Sequence, residues 1–231
     1  MGDARGEIQG RLIEQAQIRP GYRVLDLGCG TGTLTLMIKQ AHPQAGVTGL
    51  DVDREVLALA RQKTTRSGVQ IAFDEGLAWD MPYPEKFCLS GICRGRGHMW
   101  GLFAGEARKQ PPHIPFSTAI PKDPKIFDRV FSSLMVHHMT SENKRRTFLE
   151  IFRVLKPAGE FHLLDFGKPH SIWMCRVAAV MRNLEEAAEN FAGRIPSFLE
   201  ETGFIQVEET GYEASVFGPL SRYQAVRPGQ S

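Results

Sequence analysis

The 231-residue sequence predicts a doubly wound α/β domain: a seven-stranded, mostly parallel sheet with helices on both faces. Three observations predict it. Short apolar runs alternate with helical patterns at a steady pitch along most of the chain, the pattern of strand–helix–strand units. The first run, Tyr22 to Leu27, lacks the polar alternation of a half-exposed strand and reads as one covered on both sides. It leads directly into Gly28-Cys29-Gly30-Thr31-Gly32 and then into a helical stripe, the order of a strand, a tight turn and a crossover helix.

The elements follow in order. Gly6 to Ile18 is amphipathic, with Ile8, Leu12, Ile13 and Ala16 on one face, and Pro20-Gly21 stops it. After the glycine turn, Leu34, Leu36, Met37 and Ile38 mark a helix, Val47 to Val52 a second strand, and Asp53 to Arg66 a helix with Val56, Leu57, Leu59 and Ala60 inward. Val69 to Phe73 reads as a third strand and Phe127 to Ser133 as a fourth. Ser141 is the expected N-cap of a helix reaching Leu155, with Phe148, Ile151, Phe152 and Leu155 as its core stripe. Lys156-Pro157-Ala158-Gly159 ends that helix, and Glu160 to Asp165 is a fifth strand. Helices over 172–191 and 196–202 precede two last strands, 204–210 and 220–226, one of them expected to run antiparallel at the sheet edge.

Residues 86–125 differ in kind. Ten of these 40 residues are Gly or Pro, and seven Lys/Arg against two acids give a local charge of +5. Neither strand nor helix periodicity shows. Lengthening a surface loop this far costs only about 2 kcal/mol of closure entropy. The expectation is therefore one domain over residues 1–231 with a Gly/Pro-rich insertion: a lid, a partner-binding loop or a gene-model artefact. Cys88, Cys93, His98 and His113 within it match no standard zinc spacing, so no metal is expected.

Composition excludes several classes. With 28 Lys+Arg against 26 Asp+Glu, the net charge of +2 argues for no nucleic-acid partner, and Arg94-Gly95-Arg96-Gly97 is too short to change that. Four cysteines are too few and too scattered for a disulfide framework. No run approaches the roughly 18 apolar residues of a membrane span. MGDARGEIQG does not resemble a secretion signal. The expected setting is cytoplasmic, with a small-molecule partner and an oligomeric state left open.

The chemistry concentrates at the glycine turn. Glycines let a ligand approach bare backbone, and the following helix N-terminus presents unpaired N–H groups. Asp51 ends the second strand, where a carboxylate can accept from both hydroxyls of a ribose. Asp26, just before the turn, is positioned to hold a ligand amino group. A dinucleotide fingerprint needs a third glycine at position 33, but Thr33 stands there and the glycine is Gly32. The spacing favours a nucleoside without pyrophosphate.

Val24-Leu25-Asp26-Leu27-Gly28-Cys29-Gly30-Thr31-Gly32 resembles motif I of the class I S-adenosylmethionine-dependent methyltransferases, and Gly49-Leu50-Asp51-Val52-Asp53 resembles their post-I acidic segment. Met81-Pro82-Tyr83-Pro84, Phe127 to His138 and Leu155 to Glu160 are similar to later blocks of the small-molecule branch, which includes quinone-biosynthesis enzymes. The resemblance covers about residues 10–85 and 126–227 and implies a Rossmann-like fold with S-adenosylmethionine as cofactor. It further implies that Gly28, Gly30 and Gly32 meet the methionine part, Asp51 the ribose and Val52 the adenine. Cys29, a small residue within the turn, and Ser133, at the end of the fourth strand, are expected among the cofactor-binding residues with Asp26, Leu77 and Ala78. One departure stands out: the family's acid after strand three is replaced in Gly76-Leu77-Ala78, where Leu77 and Ala78 offer only backbone and apolar contact.

The implied reaction is methyl transfer to a small, hydrophobic acceptor; the alternative is a cofactor-binding or interaction protein of the same fold without turnover. Base candidates are His137 and His138, after the fourth strand, and Asp165, at the end of the fifth. Each has a plainer reading as well, in packing, helix capping or a turn. The apolar run Ile172 to Met181 reads as a buried helix or as a cover for the acceptor.

Overall fold

The computed structural model describes residues 4–83, 126–170, 174, 187–215 and 218–229. The chain divides into two units, Met1–Tyr83 with Lys125–Ser231, and Pro84–Pro124; the described residues belong to the first. They form, in order, α1 (Ala4–Gln15), β1 (Arg23–Leu27), α2 (Thr33–Ala41), β2 (Gly46–Asp51), α3 (Arg54–Arg66) and β3 (Ala72–Glu75). After the second unit come β4 (Phe127–Ser133), a 3₁₀ turn (Val136–His138), α4 (Ser141–Val154) and β5 (Leu155–Phe166). The last elements are α5 (Ala188–Phe191), α6 (Ile195–Thr202), β6 (Ile205–Ser215) and β7 (Gly218–Val226).

The seven strands make one sheet in the order β3-β2-β1-β4-β5-β7-β6. The first five are mutually parallel. β7 runs antiparallel to both β5 and β6. The antiparallel strand is thus interior to the sheet, with β6 at the edge, which corrects the expected edge position. The order reverses between β1 and β4, and in open α/β sheets ligands bind beyond the carboxyl ends of the strands at such a reversal.

Two main cores cover the faces. Leu12, Ile13 and Ala16 of α1 and Leu34 and Ile38 of α2 pack against Val24, Val47, Phe131 and Leu164. Phe148, Ile151 and Val154 of α4 and Ile195, Phe198 and Leu199 of α6 pack against Leu25, Val130, Phe161 and Leu163. Neighbouring strand residues such as Val130 and Phe131 fall in different cores, as side chains alternating across a strand require. Each fully buried side chain of this size stabilises by about 1.5–3 kcal/mol.

Several boundaries differ from those expected, for local reasons. Thr140, not Ser141, caps α4, its hydroxyl accepting from the Asn143 N–H. On α3 the buried stripe is Leu57, Ala60 and Thr64, while Leu59 is 54% exposed; steps of three and four residues leave Leu59 on the outer side. β3 starts at Ala72 because Val69 still belongs to the helix end. The Val69 N–H bonds the Thr64 carbonyl and the Gly68 N–H the Thr65 carbonyl, with Gly68 at φ 68°, a Schellman stop. β5 already pairs at Leu155 with Phe127, and the register slips before Arg129 meets Glu160, so Lys156–Gly159 bulge within the strand. The helix expected over 172–191 lies largely outside the described residues, as do the cysteine, histidine and arginine stretches of 88–113.

Candidate active site

The parallel strands deliver β1, β2, β4 and β5 to one edge of the sheet, and the sequence-predicted residues collect there. Gly28, Gly30 and Gly32 adopt left-handed φ of 69°, 53° and 72°, a conformation that costs an L-residue roughly 1–2 kcal/mol. The turn folds over the tip of β2, with the N–H groups of Gly28 and Cys29 both donating to the Leu50 carbonyl at 2.8 and 3.1 Å. A Cβ on Gly28 would run into the Met135 side chain, and one on Gly32 would press on Ala60 and Phe73. At Gly30 it would meet none of the described residues within 4 Å. Gly30 therefore bares its backbone to open space, while its neighbours are needed for packing. Gly32 caps α2 with no side-chain hydrogen bond, so the N–H groups of the first helical turn receive no capping side chain there.

Asp51 locks onto this turn. One carboxylate oxygen accepts from the Gly30 N–H at 2.8 Å and the other from the Asp53 N–H at 3.1 Å, which leaves lone pairs on both oxygens for further donors. Val52, next in the chain, is 59% exposed, an apolar surface presented beside the carboxylate. Asp26 is placed differently from the expectation of a ligand contact. It is buried within β1, and its carboxylate accepts from the Thr35 hydroxyl on α2 at 2.5 Å. Burial pushes its carboxyl up to about 7, opposed by the Thr35 bonds. Cys29 is buried, packs with Leu57, Ala60 and Phe73, and has its thiol pushed far up by desolvation, with the carboxylates of Asp26 and Asp51 adding to it. It is a packing residue and no nucleophile.

The segment after β3 reaches the same edge, because the Gly76 N–H donates to the Asp51 carbonyl at 3.0 Å. Leu77 forms a bridge to Asp80, and half-buried Ala78 packs on the α4-side core. Ser133, at the end of β4, receives the side-chain amide of Gln9 at 3.4 Å. Sequence reasoning missed Gln9, although a glutamine in line with Leu12, Ile13 and Ala16 on the apolar face was a visible anomaly. It also missed Met135, the side chain that covers Gly28.

Beyond β4 the two histidines separate. The His137 Nδ1 lies 2.8 Å from the Asp165 Oδ1, and its side chain is 11% exposed. His138 is the more exposed residue, with its ring 3.9 Å from that of His137. Asp165 is fully buried. Its Oδ2 accepts from the Val136 and His137 backbone N–H groups at 2.8 and 3.3 Å, and its Oδ1 from the Phe166 N–H at 2.7 Å. Asn190, another residue missed in the sequence, adds its side-chain amide to Oδ1 at 3.4 Å. A hollow of about 580 Å³ lined by Arg61, Thr64 and Ile71 lies along α3 and β3, away from these groups; the donors and acceptors gather at the strand tips. Among the described residues no cluster of His, Cys, Asp and Glu could hold a metal, and no helix is long and apolar enough to cross a membrane.

The sheet order, the bare turn and the carboxylate at the tip of β2 define a nucleoside-binding α/β protein. Known proteins narrow this. One family model described as a methyltransferase domain matches residues 24–102, and a second of the same description matches 106–163. The chain is 30% identical over 163 residues to a demethylmenaquinone methyltransferase of Symbiobacterium thermophilum, covering 69% of this chain and 49% of that protein. It is 29% identical over 157 residues to a ubiquinone/menaquinone biosynthesis C-methyltransferase of Ralstonia pickettii, covering 68% and 48%. The chain thus spans about half the length of these two curated relatives. Among solved structures, the [4+2]-cyclase SpnF superposes with a TM-score of 0.66 at 16% identity, covering 98% of this chain and 83% of that one. Magnesium protoporphyrin IX methyltransferase from Synechocystis, with bound S-adenosylhomocysteine, gives 0.63 at 18%, covering 96% and 81%. The structural likenesses speak for the fold; the sequence matches show methyltransferase domains over residues 24–102 and 106–163 of the chain. The residues fit S-adenosylmethionine: the bare backbone at Gly30, an α2 without a capping side chain and the Asp51 carboxylate suit a nucleoside with ribose hydroxyls and a terminal carboxylate.

Proposed function

We propose that the protein transfers the methyl group of S-adenosylmethionine to a small, hydrophobic acceptor. One observation carries the reading: no described residue stands within 4 Å of where a Gly30 side chain would be, and the Gly30 N–H is bonded to Asp51, so turn and carboxylate form one preset cradle. In this reading Asp51 holds the ribose hydroxyls, Val52 lies along the adenine, Gly76-Leu77-Ala78 borders it, and the first turn of α2 faces the cofactor's carboxylate. The cofactor supplies an electrophilic methyl on its sulfonium. The protein orients donor and acceptor in line and excludes water, which is worth on the order of 7–11 kcal/mol. Relatives named for quinone methylation support an apolar aromatic acceptor. We read the chain as one such domain carrying residues 86–125 as an addition.

Calorimetry with S-adenosylmethionine and S-adenosylhomocysteine tests the cradle. Hydrogen bonds to a charged group are worth about 1.5–3 kcal/mol, so Asp51→Ala should weaken both ligands roughly tenfold to a hundredfold. Equal affinity in the variant, or no binding to the folded wild type at millimolar ligand, refutes the reading.

A further inference from the structure

α1 is tied to the sheet at both ends. Gln15, its last residue, places its amide nitrogen 3.1 Å from the His162 Nδ1 and 3.5 Å from the Tyr223 carbonyl, while the Thr210 hydroxyl donates to its Oε1 at 2.7 Å. These partners fix the amide, because turned over its oxygen would face the Tyr223 carbonyl. An amide nitrogen only donates. The His162 Nδ1 therefore accepts, and the proton of the neutral ring sits on Nε2, 3.2 Å from the Glu160 Oε2. His162 is fully buried. The titratable and charged groups facing it among the described residues are Glu160 on β5 and Arg129 on β4, whose guanidinium already pairs with Glu160 at 2.8 Å. Arg19, past the end of α1, also acts on Glu160, and β7 adds the neutral Gln224 amide at 3.4 Å to the same carboxylate. A second proton on His162 would set N–H against N–H at Gln15 and place a further cation beside a carboxylate already matched. Six residues back, about 9 Å along the helix, Gln9 reaches Ser133 at the end of β4.

We propose that Gln15, His162 and Glu160 form an acid-sensitive latch: protonation of His162 at Nδ1 lifts α1 from the sheet and withdraws Gln9 from Ser133, so that the proton and a nucleoside at the strand tips act on α1 in opposite directions. The part played by the nucleoside rests on the methyl-transfer reading above; the latch does not. An imidazole reached by water titrates near about 6.5. The lifted state therefore takes up a proton from solvent that the docked state refuses, and docking weakens as pH falls below that value. The 1.5 units from 6.5 down to pH 5 favour the lifted state by up to about 30-fold.

Hydrogen exchange of the full chain, corrected for the intrinsic rate at each pH, tests the latch. Protection of the α1 amides should fall roughly tenfold to 30-fold from pH 8 to pH 5. At each pH it should lie below that of β4, which marks opening of α1 alone. In Gln15→Glu the new carboxylate accepts from the doubly protonated ring, so the fall should vanish or reverse. In His162→Leu it should shrink to less than about threefold, because nothing at that position titrates. With S-adenosylhomocysteine at about 100 times its Kd, α1 protection at pH 5 should rise about 100-fold. A wild-type fall of less than about tenfold, protection of α1 equal to that of β4, or an undiminished fall in either variant overturns the latch. Nucleoside that binds by calorimetry yet leaves α1 protection unchanged overturns the link between latch and site. Failure to bind the nucleoside at all overturns the methyl-transfer reading instead, while exchange of the free protein still reads the latch.

Discussion

Asp26 is a carboxylic acid buried inside the sheet, and its folded state should be paid for in pH dependence. Its carboxyl is raised from 3.8 to about 7, by desolvation first, with the Thr35 bonds opposing. An acid whose folded pKa is raised binds more protons when folded than when unfolded. Its contribution is therefore favourable below about pH 4 and is lost as pH rises through about 7. A shift of three units corresponds to about 4 kcal/mol. Most of that falls within reach of experiment: between pH 5 and pH 8 the wild type should lose about 2–3 kcal/mol from this group alone. Asp26→Asn removes the charge and keeps an oxygen for the Thr35 hydroxyl. Urea unfolding of both proteins without cofactor, at half-unit steps from pH 5 to 8, reads the difference in stability directly. The absolute offset between the two includes whatever the new amide lacks in partners, so the slope of the difference is the diagnostic quantity. A difference that stays constant across that range refutes the reasoning, because it would mean that Asp26 ionises in the folded protein as it does in the unfolded chain.

Two further outcomes follow from single positions. Gly30→Ala should fold, since its Cβ meets nothing, losing roughly 1–2 kcal/mol to the left-handed φ and melting a few degrees lower; its affinity for S-adenosylhomocysteine should drop at least tenfold by calorimetry, and retained affinity would place the ligand elsewhere. His162 is fully buried and stacked on Phe131, with its imidazole held below the usual range by desolvation despite Glu160 beside it. The folded state then binds fewer protons, so this stability is present above about pH 6.5 and lost as pH falls below it; unfolding from pH 7 to 5 should be less pH-sensitive in His162→Leu than in the wild type.

Much of the cofactor half of the site was legible in the chain because it is local. Strand, glycine turn, helix and second strand follow one another within about thirty residues, and glycine spacing, apolar runs and a strand-terminal acid each act through the nearest neighbours in sequence. That locality also explains where the reading fell short. Asp26 stood where a ligand contact was expected, but only the approach of Thr35 and the flanking strands seals it from water. His137 and His138 are indistinguishable as adjacent letters; Asp165, 28 residues away, selects one of them. Gln9 reaches Ser133 across 124 residues and Asn190 reaches Asp165 across 25, contacts that no periodicity encodes. The place of β7 between β5 and β6 likewise depends on strand pairing, and a strand's alternation states that it pairs without stating with whom. Sequence by itself determined the α/β class, the elements and the bare turn, since these follow from backbone conformation and apolar period. Tertiary structure decided which carboxylate is buried, which histidine is held and what faces the open edge, since burial and hydrogen bonding depend on neighbours in space.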